Sequence, residues 1–447
     1  MFKMKKSLSV LLAALILFAT AGCSNGDSSG STPPAGTSGE PSAERQILAQ
    51  GITDDTIYVG STYSSSGSYS IVGVPLIDTM RAVFNRVNEN GGIGGRKIEL
   101  VYLDDGGDAA NGRALTERLV EEEEVFALTA LPGSAINNTI DYLREMGIPV
   151  VDVVSGRNIA YAENDPNGNI FPVQPSWGQD GSFIAARVFH EEVYGPEKNE
   201  PLPDDATVGV IYSNDDQGND LFEGFMAQVE AEGFQDRVVS TGFATGESAS
   251  AIQSLRDQGA DVVVLLMGVA QIRGAVAAMD DIQYEVPVFT FYGNSSVVAW
   301  SLETYSENRP CYTTGWSDYT SEKAEAALED FYDVLSYADV DEATKDAYHD
   351  DAYAQVGYIA ADILVRGLQR LEDSGLDYSW ENFIACMEDG AFELITGGSI
   401  SYADGVRLGA TTEAMFEFLP VENEDGTKAI GINALRPFQT IDEIVGS

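Results

Sequence analysis

From Thr53 onward the chain alternates two hydrophobic patterns. Short β-branched or apolar runs, "TIYVGSTY" at 56–63, "KIELVYL" at 97–103, "VFALTAL" at 125–131 and "IPVVDVV" at 148–154, predict strands. Between them, apolar residues return every three or four positions. In "VPLIDTMRAVFNRVNENGG" the positions Leu76, Ile77, Met80, Val83, Phe84 and Val87 fall on one helical face, and Gly91 supplies a stop. Residues 111–124 and 136–146 are helical by the same pattern.

A Pro/Gly/Asn-rich stretch, "ENDPNGNIFPVQPSW" at 163–177, interrupts the alternation, which then restarts. "TVGVIYS" at 207–213, "DVVVLLMG" at 261–268 and "VPVFTFYG" at 286–293 are continuous apolar runs, as strands buried on both faces require. Helices fit 219–232, 248–258 and 270–279. Strands interleaved with helices predict an α/β fold of two doubly wound lobes, each a parallel sheet covered on both sides. In such sheets ligands sit beyond the carboxyl ends of the strands. Small polar residues fall there: "SSSGS" after the first strand, "PGSA" after the third, "SGRN" after the fourth and "SNDDQG" in the second series. Tight βα turns alone would explain any one of these loops, but three in one lobe predict a binding site, with backbone N–H groups at helix N-termini able to hold a carboxylate.

The N-terminus follows a different pattern. Lys3, Lys5 and Lys6 precede an apolar run from Val10 to Ala19, too short for the ~20 residues a bilayer span needs and typical of a secretory leader. Small residues Ala21 and Gly22 lead directly to Cys23, and "TAGC" resembles a bacterial lipobox, with Thr20 where leucine is usual. Residues 1–22 are therefore read as a lipoprotein signal, Cys23 as the lipidated residue, and 23–51 as a flexible tether poor in large apolar side chains. Acyl chains on Cys23 would hold the protein to the outer face of the membrane.

Charge and rare residues narrow the chemistry. The 447 residues carry 25 Lys and Arg against 71 Asp and Glu, a net charge of −46, which repels nucleic acid and argues against it as a partner. Two histidines, His190 and His349, leave little material for a histidine metal site or a Ser-His-Asp triad. No predicted strand leads into a G-x-S-x-G elbow ("GDSSG" at 26–30 lies in the tether), there is no phosphate-binding loop or H-E-x-x-H, and "GGIGG" at 91–95 follows a helix rather than a strand. Asp104, Asp105 and Asp108 lack the twelve-residue calcium-loop pattern. No enzyme, cofactor or metal is expected. Cys311 and Cys386 would be a candidate disulfide in an oxidising compartment, worth about 4 kcal/mol in the chain-entropy model; two buried thiols are the alternative.

Several stretches carry a family resemblance. "VNENGGIGGRKIELVYLDDGGD" at 87–108, "SGSYSIVG" at 66–73, "MGIPVVDVVSG" at 146–156 and "NIFPVQPSWGQDGSFIAARVF" at 169–189 together resemble the type I solute-binding proteins of the leucine/isoleucine/valine-binding family, from about residue 52 to 420. The resemblance implies two lobes joined by three crossings near residues 174, 315 and 411. Lobe one would take 52–173 and 316–410, and lobe two 174–315 and 411–447. It further implies a monomer that traps a small polar solute, an amino acid or related compound, by hinge closure and passes it to the permease and ATPase subunits of an ABC importer. An extracellular sensor acting through a separate partner is the alternative.

The family's carboxylate contacts map onto Gly133 and Ser134 and onto Val154, Ser155 and Gly156. Ser66, Gly67 and Tyr69 fall in its first turn and Asp216 in its second-lobe segment, where Gln217 stands in place of a common aromatic; Trp316, at the expected second crossing, and Tyr292 would either wall the cleft or pack in the core. The acid that commonly takes an ammonium falls on Gly293 or Asn294, leaving Asp152 or Asp216 as its replacement and keeping amides, ureas and other neutral solutes open.

Overall fold

The computed structural model describes residues 45–244, 246–295, 300–317, 322–349, 351–395, 398–422 and 426–446. The leader, Cys23 and most of the tether lie outside the described residues. Lobe one opens with β1 (Thr56–Ser61), α1 (Ser70–Glu89), β2 (Lys97–Tyr102), α2 (Ala109–Glu121), β3 (Ala127–Pro132), α3 (Gly133–Met146), β4 (Val150–Val154) and β5 (Ile170–Phe171). These strands form a parallel sheet in the order β2-β1-β3-β4-β5. Successive strand residues point to opposite faces, so β3 sends Ala127 into one core and Leu128 into another, and the left-handed backbone at Ala130 resets the alternation so that Ala130 joins the first core and Leu131 the second.

The chain then crosses to lobe two: α4 (Trp177–His190), β6 (Val208–Ser213), α5 (Asp216–Glu232), β7 (Val238–Phe243), α6 (Ser248–Asp257), β8 (Val262–Leu266), α7 (Val269–Asp281), β9 (Val288–Thr290) and β10 (Cys311–Gly315). Here β8 alternates Val262, Val264 and Leu266 on one face with Val263 and Leu265 on the other. After a second crossing, α8 (Glu322–Leu335), α9 (Glu342–Tyr348), α10 (Ala352–Ser374), α11 (Trp380–Glu388) and the small ladder β11 (Phe392–Glu393) with β12 (Ser399–Ile400) return to lobe one. A third crossing leads to β13 (Glu413–Glu422), β14 (Lys428–Gln439) and α12 (Ile441–Val445).

The second sheet runs β14-β13-β10-β9-β8-β6-β7. It is parallel through β10, but β13 and β14 are antiparallel, so an all-parallel lobe two is corrected to a mixed sheet. A hairpin can supply this edge because the chain enters β13 directly from the hinge.

The three crossings touch one another. Ala410 N donates to Val173 O at 2.8 Å, and Gly409 adopts φ +67°, with an added Cβ falling 2.3 Å from Gln174 O. At the same junction Asp180 of α4 accepts hydrogen bonds from Thr314 Oγ1 of β10 and from Tyr292 N, and it lies beside the buried Glu413 of β13. Burial lifts the Asp180 pKa to about 7, against the lowering effect of its hydrogen bonds with Thr314 and Glu413, and burial together with the neighbouring Asp180 pushes Glu413 well up.

The candidate disulfide is not formed. Cys311 packs in the core of lobe two and Cys386 in that of lobe one, both as buried free thiols. Among the described residues no helix is long and apolar enough to cross a membrane.

Candidate functional site

Strand order places the site. In the first sheet the order reverses between β1 and β3, and in the second between β6 and β8, so the loops after β1, β3 and β6 open onto the crevice that such a switch point creates. A cavity of about 330 Å³ lies there, lined by Tyr63, Ser64, Tyr69, Gly107, Pro132, Gly133, Val154 and Ser155 of lobe one and by Trp177 and Gln217 of lobe two.

The lobe-one wall is polar and short-chained. Ser64 Oγ donates to Asp105, which also accepts from Gly107 N at 2.8 Å, tying the loops after β1 and β2 together. Asp104 accepts from Ser65 N and Gly106 N, and Asp108 caps α2, so the backbone uses all three carboxylates considered for calcium. Helix α3 begins at Gly133 behind Pro132, an N-cap residue that offers no side-chain hydrogen bond to the helix start. A Cβ on Gly133 would sit 2.9 Å from Ser155 Oγ, so glycine is what lets Ser155 close onto the helix end. Ser155 is buried; its carbonyl accepts from Tyr161 OH at 3.0 Å and its Oγ from Arg157 N at 3.4 Å.

Both strands feeding this wall kink at the same level. Ala130 and Asp152 have φ of +49° and +62°, and the ladder resumes beyond them with Leu131 opposite Val153. Left-handed backbone at non-glycine residues is uncommon, and here it turns Pro132–Gly133 and Val154–Ser155 together toward the cleft. Asp152 itself is fully buried beneath the wall, and burial lifts its pKa to about 7.

Lobe two contributes bulk and a clasp. Trp177 N donates to Gly156 O at 2.7 Å, and a Cβ on Gly156 would fall 2.3 Å from the Trp177 ring. Gly156 thus admits the indole rather than lining the cavity. Arg157 reaches across to Asp216 at 2.8 Å and to Asp220 at 3.6 Å, and Asn158 N donates to Asp220 at 3.1 Å.

A second compartment of about 420 Å³, sharing Val154 with the first, lies toward the hinge. Tyr292, Trp316, Phe416, Val356 and Ile359 give it an apolar character. Tyr292 OH donates to Pro175 O at 3.1 Å and accepts from Gln174 Nε2 at 3.0 Å.

Of the residues singled out from sequence, Tyr69, Gly133, Val154, Ser155 and Gln217 line the first compartment, and Tyr292 and Trp316 the second. Ser134 lies in the first turn of α3. Ser66 and Gly67 are exposed and shape the turn before α1, Gly67 with φ +71°. Asn294 is corrected: it is fully buried in lobe two, donating to Met267 O and Thr290 Oγ1. Asp216 is taken by Arg157, and Asp152 is under the floor, so neither stands in the first compartment for an ammonium. Trp177, Tyr63, Ser64 and Arg157 escaped sequence reasoning. For Trp177 a signal existed, the small residue Gly156 set against an aromatic at a helix start, but only the fold brings the two together.

The family model for periplasmic binding proteins matches residues 56–415. Among curated proteins, none matches the chain. Three solved structures are similar. A fatty acid ABC transporter substrate-binding protein from Thermomonospora curvata is 14% identical, with a TM-score of 0.66, covering 89% of this chain and 96% of its own. A solute-binding protein of an ABC transporter from Rhodopseudomonas palustris, in complex with 3,4-dihydroxybenzoic acid, is 14% identical at a TM-score of 0.62, covering 87% and 99%. A leucine-binding protein from Thermotoga maritima is 14% identical at 0.61, covering 86% and 99%. At such identities the likeness is one of fold.

Proposed function

The chain belongs to the periplasmic binding protein family, and within it we propose that this protein is the lipid-anchored solute receptor of an ABC importer. It captures a small organic solute, an amino acid or a related compound, by its carboxylate or carbonyl end. The observation that carries this reading is the cavity between the two strand-end walls, with the uncapped start of α3 and the Ser155 hydroxyl on one side and Trp177 and Gln217 on the other.

Backbone N–H groups at Gly133 and Ser134 hold the anionic or carbonyl end, because a helix N-terminus carries partial positive charge and unpaired donors. Ser155 adds a hydroxyl donor, and Tyr69 and Gln217 flank the guest. Hinge closure over the three crossings buries the solute, and the closed protein presents it to the permease and ATPase subunits, held near them by acyl groups on Cys23. Binding requires no covalent step. Similar folds are described with ligands as different as a fatty acid, a dihydroxybenzoate and leucine, so family membership leaves the solute open.

The test is a thermal-shift panel of amino acids, amides and simple carboxylates on the purified protein, since a ligand bound only by the folded state raises stability by RT ln(1 + [L]/Kd). At least one class raises the melting temperature, and Ser155→Phe abolishes that rise while the circular dichroism spectrum stays folded. A rise that survives Ser155→Phe moves the site elsewhere.

A further inference from the structure

This inference rests on the cleft reading above and concerns the rest of the solute. Within the first compartment, the described lining residues offer hydroxyls, backbone N–H groups and an amide, but no carboxylate. The acids nearest to it are already engaged. Asp105 takes Ser64 and Gly107, Asp216 is held by Arg157, and Asp152 is sealed beneath the wall in a setting that favours its neutral form. An ammonium brought beside the solute's carboxylate would lose its water without gaining a counter-charge, which is unfavourable in an enclosed site.

Past Val154 the chemistry changes. The hinge compartment is larger, about 420 Å³, and spans both lobes, with Ile359 from lobe one and Phe416 from lobe two facing across it and Trp316 closing the hinge end. Three of its polar neighbours are engaged within the protein: Gln174 and Tyr292 bond each other, and Asp351 caps α10 by accepting from Tyr353 N and Ala354 N. At the mouth Ile71 and Tyr353 stand 74% and 41% exposed. An apolar body seated there removes both from water, and soluble proteins seldom cluster exposed large apolar groups beside a cleft without such a use.

We propose that the solute is a carboxylate without an adjacent ammonium, carrying an aromatic or bulky aliphatic body. The carboxylate sits at the start of α3 against Ser155, and the body passes Val154 into the hinge compartment between Trp316 and Ile359.

Isothermal titration calorimetry with matched probes tests this: phenylacetate and indole-3-acetate, their amino-acid counterparts phenylalanine and tryptophan, and acetate as a head without a body. The aryl acetates bind at least tenfold tighter than the amino acids and at least a hundredfold tighter than acetate. Tyr353→Ser, at a half-exposed position, weakens the aryl acetates about threefold or more while the circular dichroism spectrum stays folded. Phenylalanine binding as tightly as phenylacetate overturns the proposal and leaves the cleft reading standing, as does acetate matching phenylacetate. If no aryl acetate binds but an amino acid, an amide or another solute that is not such a carboxylate does, and Ser155→Phe blocks it, the proposal likewise falls alone. If nothing in either panel binds to folded protein, both readings fall together.

Discussion

The two walls of the cleft are built from the same βα units, yet the helix that follows the strand at the switch point starts differently in each, α3 in lobe one and α5 in lobe two. In lobe one, α3 begins behind Pro132, which supplies no side-chain hydrogen bond to the helix start. In lobe two, α5 begins behind Asp215, whose carboxylate accepts from Gly218 N at 2.9 Å, and carries Asp216 and Asp220 toward Arg157 of the opposite wall. A side-chain cap is worth about 1 kcal/mol to a helix, so α3 forgoes a stabilisation that α5 takes. Donors left open on one wall and acids facing the other make lobe one the place for an anionic or carbonyl group. Lobe two supplies the covering surface and the carboxylates that Arg157 grips.

Gly156→Val probes the contact between the walls most severely. Its Cβ would meet the Trp177 ring at 2.3 Å, and the indole has to leave. Solute affinity should fall more than a hundredfold by calorimetry, with the helical circular dichroism signal retained; a near-normal Kd would mean that Trp177 is not part of the wall.

Next in size is a pH effect peculiar to lobe one. The pKa of Asp152 is lifted to about 7 by burial, above an ordinary carboxylate near 3.9, so the folded state holds the proton more tightly than the unfolded chain. The stabilisation this gives is complete below about pH 4 and is lost as pH climbs to about 7. Asp152→Asn keeps the group neutral and suits a left-handed backbone, so its melting temperature should exceed the parent's by several degrees at pH 8 and match it near pH 4. Parallel curves would show that Asp152 does not titrate in this range. Asp180 and Glu413 act in the same direction at the hinge and remain in both proteins, so they cancel in the comparison.

Arg157→Ala tests the clasp. It leaves the half-buried Asp220 carboxylate with the Asn158 N–H alone, and partly buried ion pairs are worth on the order of 1 kcal/mol. Solute affinity should drop about five- to tenfold at low salt, less at high salt, with a larger radius of gyration in solution scattering. Equal scattering and affinity would remove the clasp from the closing mechanism. The smallest effect is a null one. Reductant should leave the melting temperature unchanged, because Cys311 and Cys386 are free thiols in separate cores; a fall of several degrees would reveal a cross-link.

The series of strands and helices from β1 to β9 was largely legible along the chain, since apolar periods of two and 3.6 are local signals. The pattern missed β7, whose "VVSTGF" is only half buried, and the antiparallel pair β13 and β14, whose solvent-facing residues dilute the apolar run. Helix starts were placed up to three residues late where Ala109, Gly133 or Asp216 opens the helix without an apolar residue. Within the candidate site, the positions read from strand ends line a cavity because loops at those ends have nowhere else to go once the sheet order reverses.

By itself, then, the order of residues determined where backbone turns and which faces are apolar: the strand-end loops with Gly133 and Ser155, and the polar break before Trp177. Only the tertiary structure decided the fate of individual side chains. Asn294 turned inward because two buried acceptors awaited its amide; Asp216 met Arg157 because two distant loops converge; and Gly156 made room for an indole from the other lobe. Periodicity and turn chemistry act between near neighbours in sequence, whereas partner choice among polar groups is set by what the finished fold brings within hydrogen-bond reach and shuts away from water.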